Sequence, residues 1–388
     1  MKRRHLLLLL AAAALTGCPQ GGAQGKGGGD KIKIAVAGPF SGSAAAFGDM
    51  IRKGATLKAD ELNAAGGING KQIELVFEDD AGKTAEAATV SRKLAADESI
   101  PIVIGHFNSN CSNTAKEEYN RKGVVSISPG STNVNVCKGY EWTFRNLYRD
   151  DYQGTFLADY AFKVLKAKKA AVFYENDDYG KGLMGAFTEE AKKLGLVCLE
   201  PITFQRERTA DFKPLVEKIK GEGADVIFVS GLYEAAALIT KVARGDLKMS
   251  VPILAGDGVM SPEYLKLAGE FADGTLVTTP FLFEAAKDDP KANAFFTAFK
   301  QKFEVEPDTW AALTYDALGM AADAIKAVGP DRTKIKDHLK AITSADKAYM
   351  GVTGPTFFDA EGDCSSKGAH VAVVKGGKFV AAEQQLKE

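Results

Sequence analysis

The chain has 388 residues, 45% of them hydrophobic and 26% charged, with 49 Lys and Arg against 50 Asp and Glu and a formal net charge of -1. So even a balance leaves no basic surface for a phosphate backbone and excludes nucleic acid as a partner. The length exceeds what one hydrophobic core organises, so two lobes of about 150 to 200 residues are expected.

The chain opens with three cations, Lys2, Arg3 and Arg4, followed by the apolar run Leu6 to Leu15 and the ending L-T-G-C at Leu15 to Cys18. Residues 1–18 therefore read as a secretory signal, too short to span a bilayer as a mature helix. The ending resembles the bacterial lipobox, which implies lipidation of Cys18 and a membrane anchor through acyl chains. Residues 19–30 are glycine-rich and read as a flexible tether. No second long apolar run follows.

From Lys31 the pattern alternates. Strands are expected at Lys31 to Ala37, Lys71 to Phe77, Ile100 to Ile104 and Val124 to Ser128, with helices at Met50 to Ala64, Thr84 to Ala96 and Thr114 to Arg121. After Trp142 to Asp151 the same grammar restarts. Strands are expected at Lys168 to Tyr174, Val197 to Phe204, Asp225 to Ser230, Pro252 to Ala255 and Gly274 to Thr278, with helices at Gly180 to Leu194 and Phe212 to Gly221. Alternating elements with short connections predict an α/β fold of two doubly wound parallel-sheet lobes with a cleft between them. The expected division is 31–149 with 281–365, and 150–280 with 366–388. The crossovers fall near Leu147 to Asp151, Thr279 to Leu282 and Asp363 to Gly368.

Two strand ends stand out. G-V-V-S-I-S-P-G-S-T-N at Gly123 to Asn133 leaves a strand through a Pro-Gly turn into small hydroxyl residues, and Ile100 to Ile104 breaks at Gly105 into H-F-N-S-N-C-S-N-T. Neighbouring strands would deliver both turns to one rim, where ligands of open parallel sheets bind. Backbone N–H groups and hydroxyls there form a cradle for a carboxylate. Read singly, each Ser or Asn is an ordinary helix cap.

Besides Cys18 the chain carries Cys111, Cys137, Cys198 and Cys364. An even number in an exported chain predicts pairing. Cys111 and Cys137 follow consecutive strands at one rim and are expected to pair, as are Cys198 and Cys364. The spacings match no zinc pattern, so no metal site and no cofactor are expected.

The stretches I-A-V-A-G-P-F-S-G at Ile34 to Gly42, A-A-G-G-I-N-G at Ala64 to Gly70, E-D-D-A at Glu78 to Ala81, V-I-G-H at Val103 to His106, S-I-S-P-G-S-T at Ser126 to Thr132, D-D-Y-G at Asp177 to Gly180 and G-D-G-V at Gly256 to Val259 occur in a telling order and spacing. Together they resemble the periplasmic branched-chain amino-acid (Leu/Ile/Val-type) substrate-binding proteins of ABC transporters, over essentially the whole mature length. The resemblance implies a type I periplasmic binding fold that closes on an amino acid. It assigns the carboxylate-binding serine to Ser109, the small-residue pair and threonine to Gly130, Ser131 and Thr132, the ammonium-binding acid to Asp257, and a tyrosine of the opposing lobe to Tyr179. Phe47 stands where the family has a tyrosine, the acid is a shorter aspartate, and Leu232 with Tyr233 beside it replaces another tyrosine. Gly82 and Asn108 replace two family cysteines.

The residue chemistry agrees independently. A zwitterion needs donors for its carboxylate and an anion for its ammonium, and Ser109, Ser131, Thr132 and Asp257 supply both. His106 reads as a hydrogen-bonded core residue. The pairs Asp79 and Asp80, and Asp150 and Asp151, have neighbours on opposite faces and make poor acid–base dyads. Arg145 and Arg149 read as inter-lobe salt-bridge residues, with a contact to an acidic ligand side chain as the alternative. Phe281, Phe283, Phe295, Phe296 and Phe299 read as core. The leading function is a monomeric, lipid-anchored, extracytoplasmic carrier that hands an amino acid to an ABC permease. An amino-acid or amide sensor on the same fold and an enzyme using the cleft are the alternatives, but no nucleophile–base pair supports the last.

Overall fold

The structure, a computed structural model, describes residues 31–386. The signal segment, Cys18 and the tether therefore lie outside the described residues. β1 (Ile32–Gly38) sends Ile32, Ile34 and Val36 to one apolar cluster with α1 (Ala45–Ala64). Its alternate residues Ala35 and Ala37 join another with α2 (Thr84–Ala96) and α3 (Ser109–Lys122). A strand covered on both faces has both parities apolar.

β2 (Ile73–Asp79), β3 (Ile102–Ile104), β4 (Val125–Ser128) and β5 (Thr143–Arg145) complete a parallel sheet of order β2-β1-β3-β4-β5. The stretch Trp142 to Asp151, for which no strand was expected, thus contains one, β5, pairing Thr143 with Ser126 and Arg145 with Ser128. Three residues are too few to show a period.

The chain continues through α4 (Asp150–Asp159), β6 (Lys169–Glu175), α5 (Asp178–Leu194), β7 (Val197–Cys198), β8 (Ile202–Phe204) and α6 (Lys213–Gly221). Next come β9 (Val226–Ser230), α7 (Tyr233–Thr240), β10 (Ile253–Ala255), α8 (Pro262–Ala268) and β11 (Leu276–Thr279). α9 (Pro290–Phe303), α10 (Thr309–Val328) and α11 (Arg332–Lys340) then return to the first sheet, where α9 and α10 pack on α1. A small hairpin, β12 (Tyr349–Gly351) and β13 (Gly354–Thr356), precedes β14 (His370–Lys375) and β15 (Lys378–Ala381). The second sheet has the order β15-β14-β11-β10-β9-β6-β7, with β8 also on β6; β14 and β15 are antiparallel additions to a parallel core.

The single strand expected at Val197 to Phe204 is two. Val197 pairs with Lys169 but Ile202 pairs with Phe173, so the register advances by one residue around Pro201, which has no N–H for the ladder. Phe281, Phe295 and Phe299 form an apolar cluster with Met50 and Leu57 of α1, against which Phe283 packs.

The chain passes between the sheets after β5, after β11 and before β14. The buried Arg145 joins the first and third passages: its Nε lies 2.6 Å from Asp363 Oδ1, and its Nη1 donates to the carbonyls of Ser131 and Asn133. Arg149 reaches Asp363 Oδ2 at 3.1 Å and Asp151 at 2.6 Å. Both arginines bind crossover segments to each other, rather than one lobe face to the other.

The two expected disulfides are absent: Cys111, Cys137, Cys198 and Cys364 are free thiols. α3 turns Cys111 toward Asp80 and Asp177, whereas Cys137 lies beside Arg145 and Asp363 and donates to Gly362 O. Cys198 sits on the edge strand β7, at the opposite end of the sheet from β14, and Cys364 meets Ser366. Common attachment to one rim did not bring the sulfurs together. Among the described residues no helix is long and apolar enough to cross a membrane.

Candidate functional site

The first wall of the site is built where β3 and β4 end. Ser128 Oγ donates to His106 O at 2.6 Å and accepts from Ser131 N–H at 2.9 Å. Ser131 Oγ donates to Phe107 O at 2.8 Å and meets Ser112 Oγ at 2.7 Å. These hydroxyls lock the two turns together, so the Ser131 side chain is spent on the loop and does not face the cavity. Gly130 is required there, because a Cβ would lie 2.2 Å from the Phe107 ring. His106 is fixed between Asp80 Oδ2 at 2.6 Å and Tyr119 OH at 3.1 Å, as a core histidine.

α3 starts at Ser109, with Asn108 as an extended N-cap, so the first N–H groups of the helix have no intrahelical partner. Ser109 Oγ accepts from Asn133 N–H at 3.2 Å and keeps its own hydrogen to donate. The Thr132 hydroxyl is buried with no hydrogen-bond partner among the described residues. Positive helix-end dipoles and spare hydroxyl donors on one wall favour an anion.

The opposing wall comes from the second sheet. Asp257 sits on a turn after β10 whose flanking glycines are obligatory: a Cβ at Gly256 would lie 2.5 Å from Tyr179 OH, and one at Gly258 would lie 2.9 Å from Gly231 O. Tyr179 OH donates to Asp257 Oδ1 at 2.9 Å and accepts from Gly258 N–H at 3.1 Å. Asp257 N–H donates to Gln153 Oε1, and Asp257 Oδ2 is buried with no hydrogen-bond partner among the described residues. Burial pushes the Asp257 carboxyl up to about 6, with the Tyr179 hydrogen bond foremost among the nearby polar groups that oppose the rise. A buried carboxylate with one free oxygen is an acceptor for a cation.

Between the walls lies a small cavity lined by Phe107, Asn108, Ser109, Gly130, Asp177, Tyr179, Leu232, Asp257, Gly258 and Trp310. Of the residues assigned from sequence, Ser109, Gly130, Tyr179 and Asp257 line it. Phe47 is packed behind, stacked on Phe107 at 4.6 Å and edge-on to Trp310. Thr132 and Ser131 do not line the cavity and lie in the turn behind its first wall. Tyr233 crosses the mouth, its ring 5.0 Å from Phe47 and its hydroxyl donating to Ser43 O at 2.6 Å.

Sequence reasoning did not single out Phe107, Asp177, Gly258 or Trp310. Trp310 stands second in α10, after the N-cap Asp308, and crosses the cleft to donate its indole N–H to Met260 O at 2.9 Å. The D-T-W start of a helix was a signal for its placement but not for its destination. Asn113 Nδ2 and Asn133 Nδ2 also cross, to Asp178 Oδ2 and O, both at 2.7 Å. Beside the mouth, Arg206 pairs with Glu175 and with Asp177 at 2.7 Å. Burial, with Asp177 beside it, pushes Glu175 up to about 7 despite Arg206.

Among known proteins, the amino acid binding protein of Pseudomonas aeruginosa is 35% identical over 341 residues, 86% of this chain and 87% of the relative. A Leu/Ile/Val-binding protein homologue of Brucella abortus is 34% identical over 337 residues, covering 86% and 87% of the two chains. The crystal structure of the branched-chain amino acid transporter substrate-binding protein of Streptococcus pneumoniae in complex with isoleucine superposes with a TM-score of 0.84 at 35% identity, over 91% of this chain and 99% of that one. Residues 31–378 match the family described as periplasmic binding protein, and with these relatives the chain belongs to that family.

Proposed function

We propose that this protein captures a free α-amino acid with an apolar side chain in its inter-lobe cleft and delivers it to an ABC permease. The observation that carries the reading is the unpartnered Asp257 Oδ2, across a small cavity from the start of α3 and the Ser109 and Thr132 hydroxyls. The ligand carboxylate is held by Ser109, Thr132 and helix-end N–H groups, and its ammonium by Asp257, which Tyr179 orients. Charge-assisted bonds of this kind contribute about 1.5–3 kcal/mol each. Phe107, Leu232 and Trp310 offer the apolar surface for the side chain, backed by Phe47. The relatives bind leucine, isoleucine, valine and related amino acids, by the names they carry. They are binding proteins, and this chain is not an enzyme.

Family membership implies an extracytoplasmic location. We read the chain as a monomer, held at the membrane by lipid on Cys18. Because no single lobe supplies every contact, ligand stabilises the closed arrangement over an open one, and loaded protein differs in shape from empty protein. Mass spectrometry of ligand released on denaturation tests the reading: an unmodified apolar amino acid is expected. An organic acid or amide lacking an amino group would overturn the role of Asp257.

A further inference from the structure

Asp150 opens α4 immediately after the first passage between the sheets. Its side chain is completely buried, and neither carboxyl oxygen has a hydrogen-bond partner among the described residues. Its N–H donates to Thr132 O at 2.8 Å, which places the Thr132 hydroxyl, itself without a hydrogen-bond partner among the described residues, beside Asp150. α5 covers the group closely: a Cβ at Gly182 would lie 3.2 Å from Asp150 Oδ2 and 2.6 Å from Asn133 Nδ2.

The charged groups facing Asp150 are Asp257 after β10, Asp177 ahead of α5 and Arg145 on β5, with the hydroxyls of Tyr148 and Tyr179 also near. Arg145 is committed to Asp363 and to two carbonyls, although its Nη2 is free. Burial and the Asp257 charge hold the Asp150 carboxyl well above the ordinary carboxylate range, with Thr132 and Arg145 opposing.

We propose that Asp150 is a positioning residue for the ligand carboxylate: it keeps its proton, donates it to Thr132 Oγ1, and so turns the Thr132 hydroxyl hydrogen toward the cleft. A hydroxyl has one hydrogen to give. Beside an ionised Asp150, Thr132 would spend it on Asp150 and present lone pairs to the incoming carboxylate. Beside a protonated Asp150, Thr132 accepts from behind and donates in front. The inference rests on the amino-acid reading of the site.

The test is calorimetry of the full mature chain with leucine between about pH 6 and about pH 9, together with infrared spectroscopy of the ligand-free protein. At whatever pH Asp150 gives up its proton, wild-type affinity should fall by about tenfold or more, as one charge-assisted bond is lost. Asp150→Asn, whose amide donates as a protonated acid does, should bind near wild-type strength and lose only the part of that fall due to Asp150. The part due to the ligand's own amine should persist. Asp150→Ala should bind weakly throughout. At neutral pH the infrared spectrum should contain a protonated carboxylic C=O band that Asp150→Asn lacks. If Asp150 is instead ionised toward Arg145 Nη2, that band is missing and Asp150→Asn is as weak as Asp150→Ala; either result overturns the proposal. A wild-type chain that binds no amino acid at any pH overturns the amino-acid reading itself.

Discussion

Tyr179 donates to Oδ1 of Asp257 at 2.9 Å, while Oδ2 of the same carboxylate accepts nothing. The tyrosine thus orients the acid and leaves its other oxygen without a partner among the described residues. Asp257→Asn keeps the shape and removes the charge, so affinity for leucine should fall by about tenfold or more in calorimetry. Tyr179→Phe, which removes only the orienting bond, should cost less. Equal binding by Asp257→Asn and wild type would remove the ammonium contact from this site.

The anion-binding wall should be tested by a double change. Ser109→Ala with Thr132→Ala removes two donors from a carboxylate that stays buried, a loss of several kcal/mol, so binding should fall below detection while the far-ultraviolet spectrum stays native. Retained affinity would place the ligand elsewhere.

Acid should weaken capture. With the Asp257 carboxyl at about 6 in the free protein, one pH unit below that leaves about a tenth of the molecules ionised, and affinity should fall about tenfold. Stability runs the other way. The folded carboxyl is raised above its unfolded value of 3.8, so the folded state binds more protons between the two, and stability of ligand-free protein should fall as pH rises through about 6. Thermal melts of wild type and Asp257→Asn across this window check the sign, since the variant should be flatter.

At the passages between the sheets, Asp363→Ala should be strongly destabilising. It leaves the fully buried Arg145 without its carboxylate, and breaking a buried pair costs about 3–5 kcal/mol. Denaturant unfolding would register this as a lower midpoint; a loss under about 1 kcal/mol would mean that the carbonyls of Ser131 and Asn133 suffice to hold the arginine.

Closure should be visible in solution. Small-angle scattering should give a smaller radius of gyration with saturating leucine than without. Tyr233→Phe removes the bond to Ser43 across the mouth and should weaken affinity several-fold, about 1 kcal/mol. An unchanged profile on saturation would count against a hinged trap.

Much of this molecule is determined locally. The parity of Ile34, Ala35, Val36 and Ala37, apolar on both faces, dictates a strand buried between helical layers. The Pro129-Gly130 turn and the Gly256-Asp257-Gly258 turn name the polar rim of each sheet, because short-range sterics decide where a chain can turn and expose a hydroxyl or a carboxylate. What the tertiary structure decided is which side chains meet. Ser131, chemically equal to Ser109 as a donor, is consumed by the carbonyls of His106 and Phe107. Cys111 and Cys137 leave one rim in different directions and remain thiols. Trp310, distant in sequence, becomes part of the cavity because α10 lies along α1 and its first turn reaches the opposing lobe. Such pairings depend on packing between segments hundreds of residues apart, as in Arg145 with Asp363, and no period or turn signal within either segment contains them.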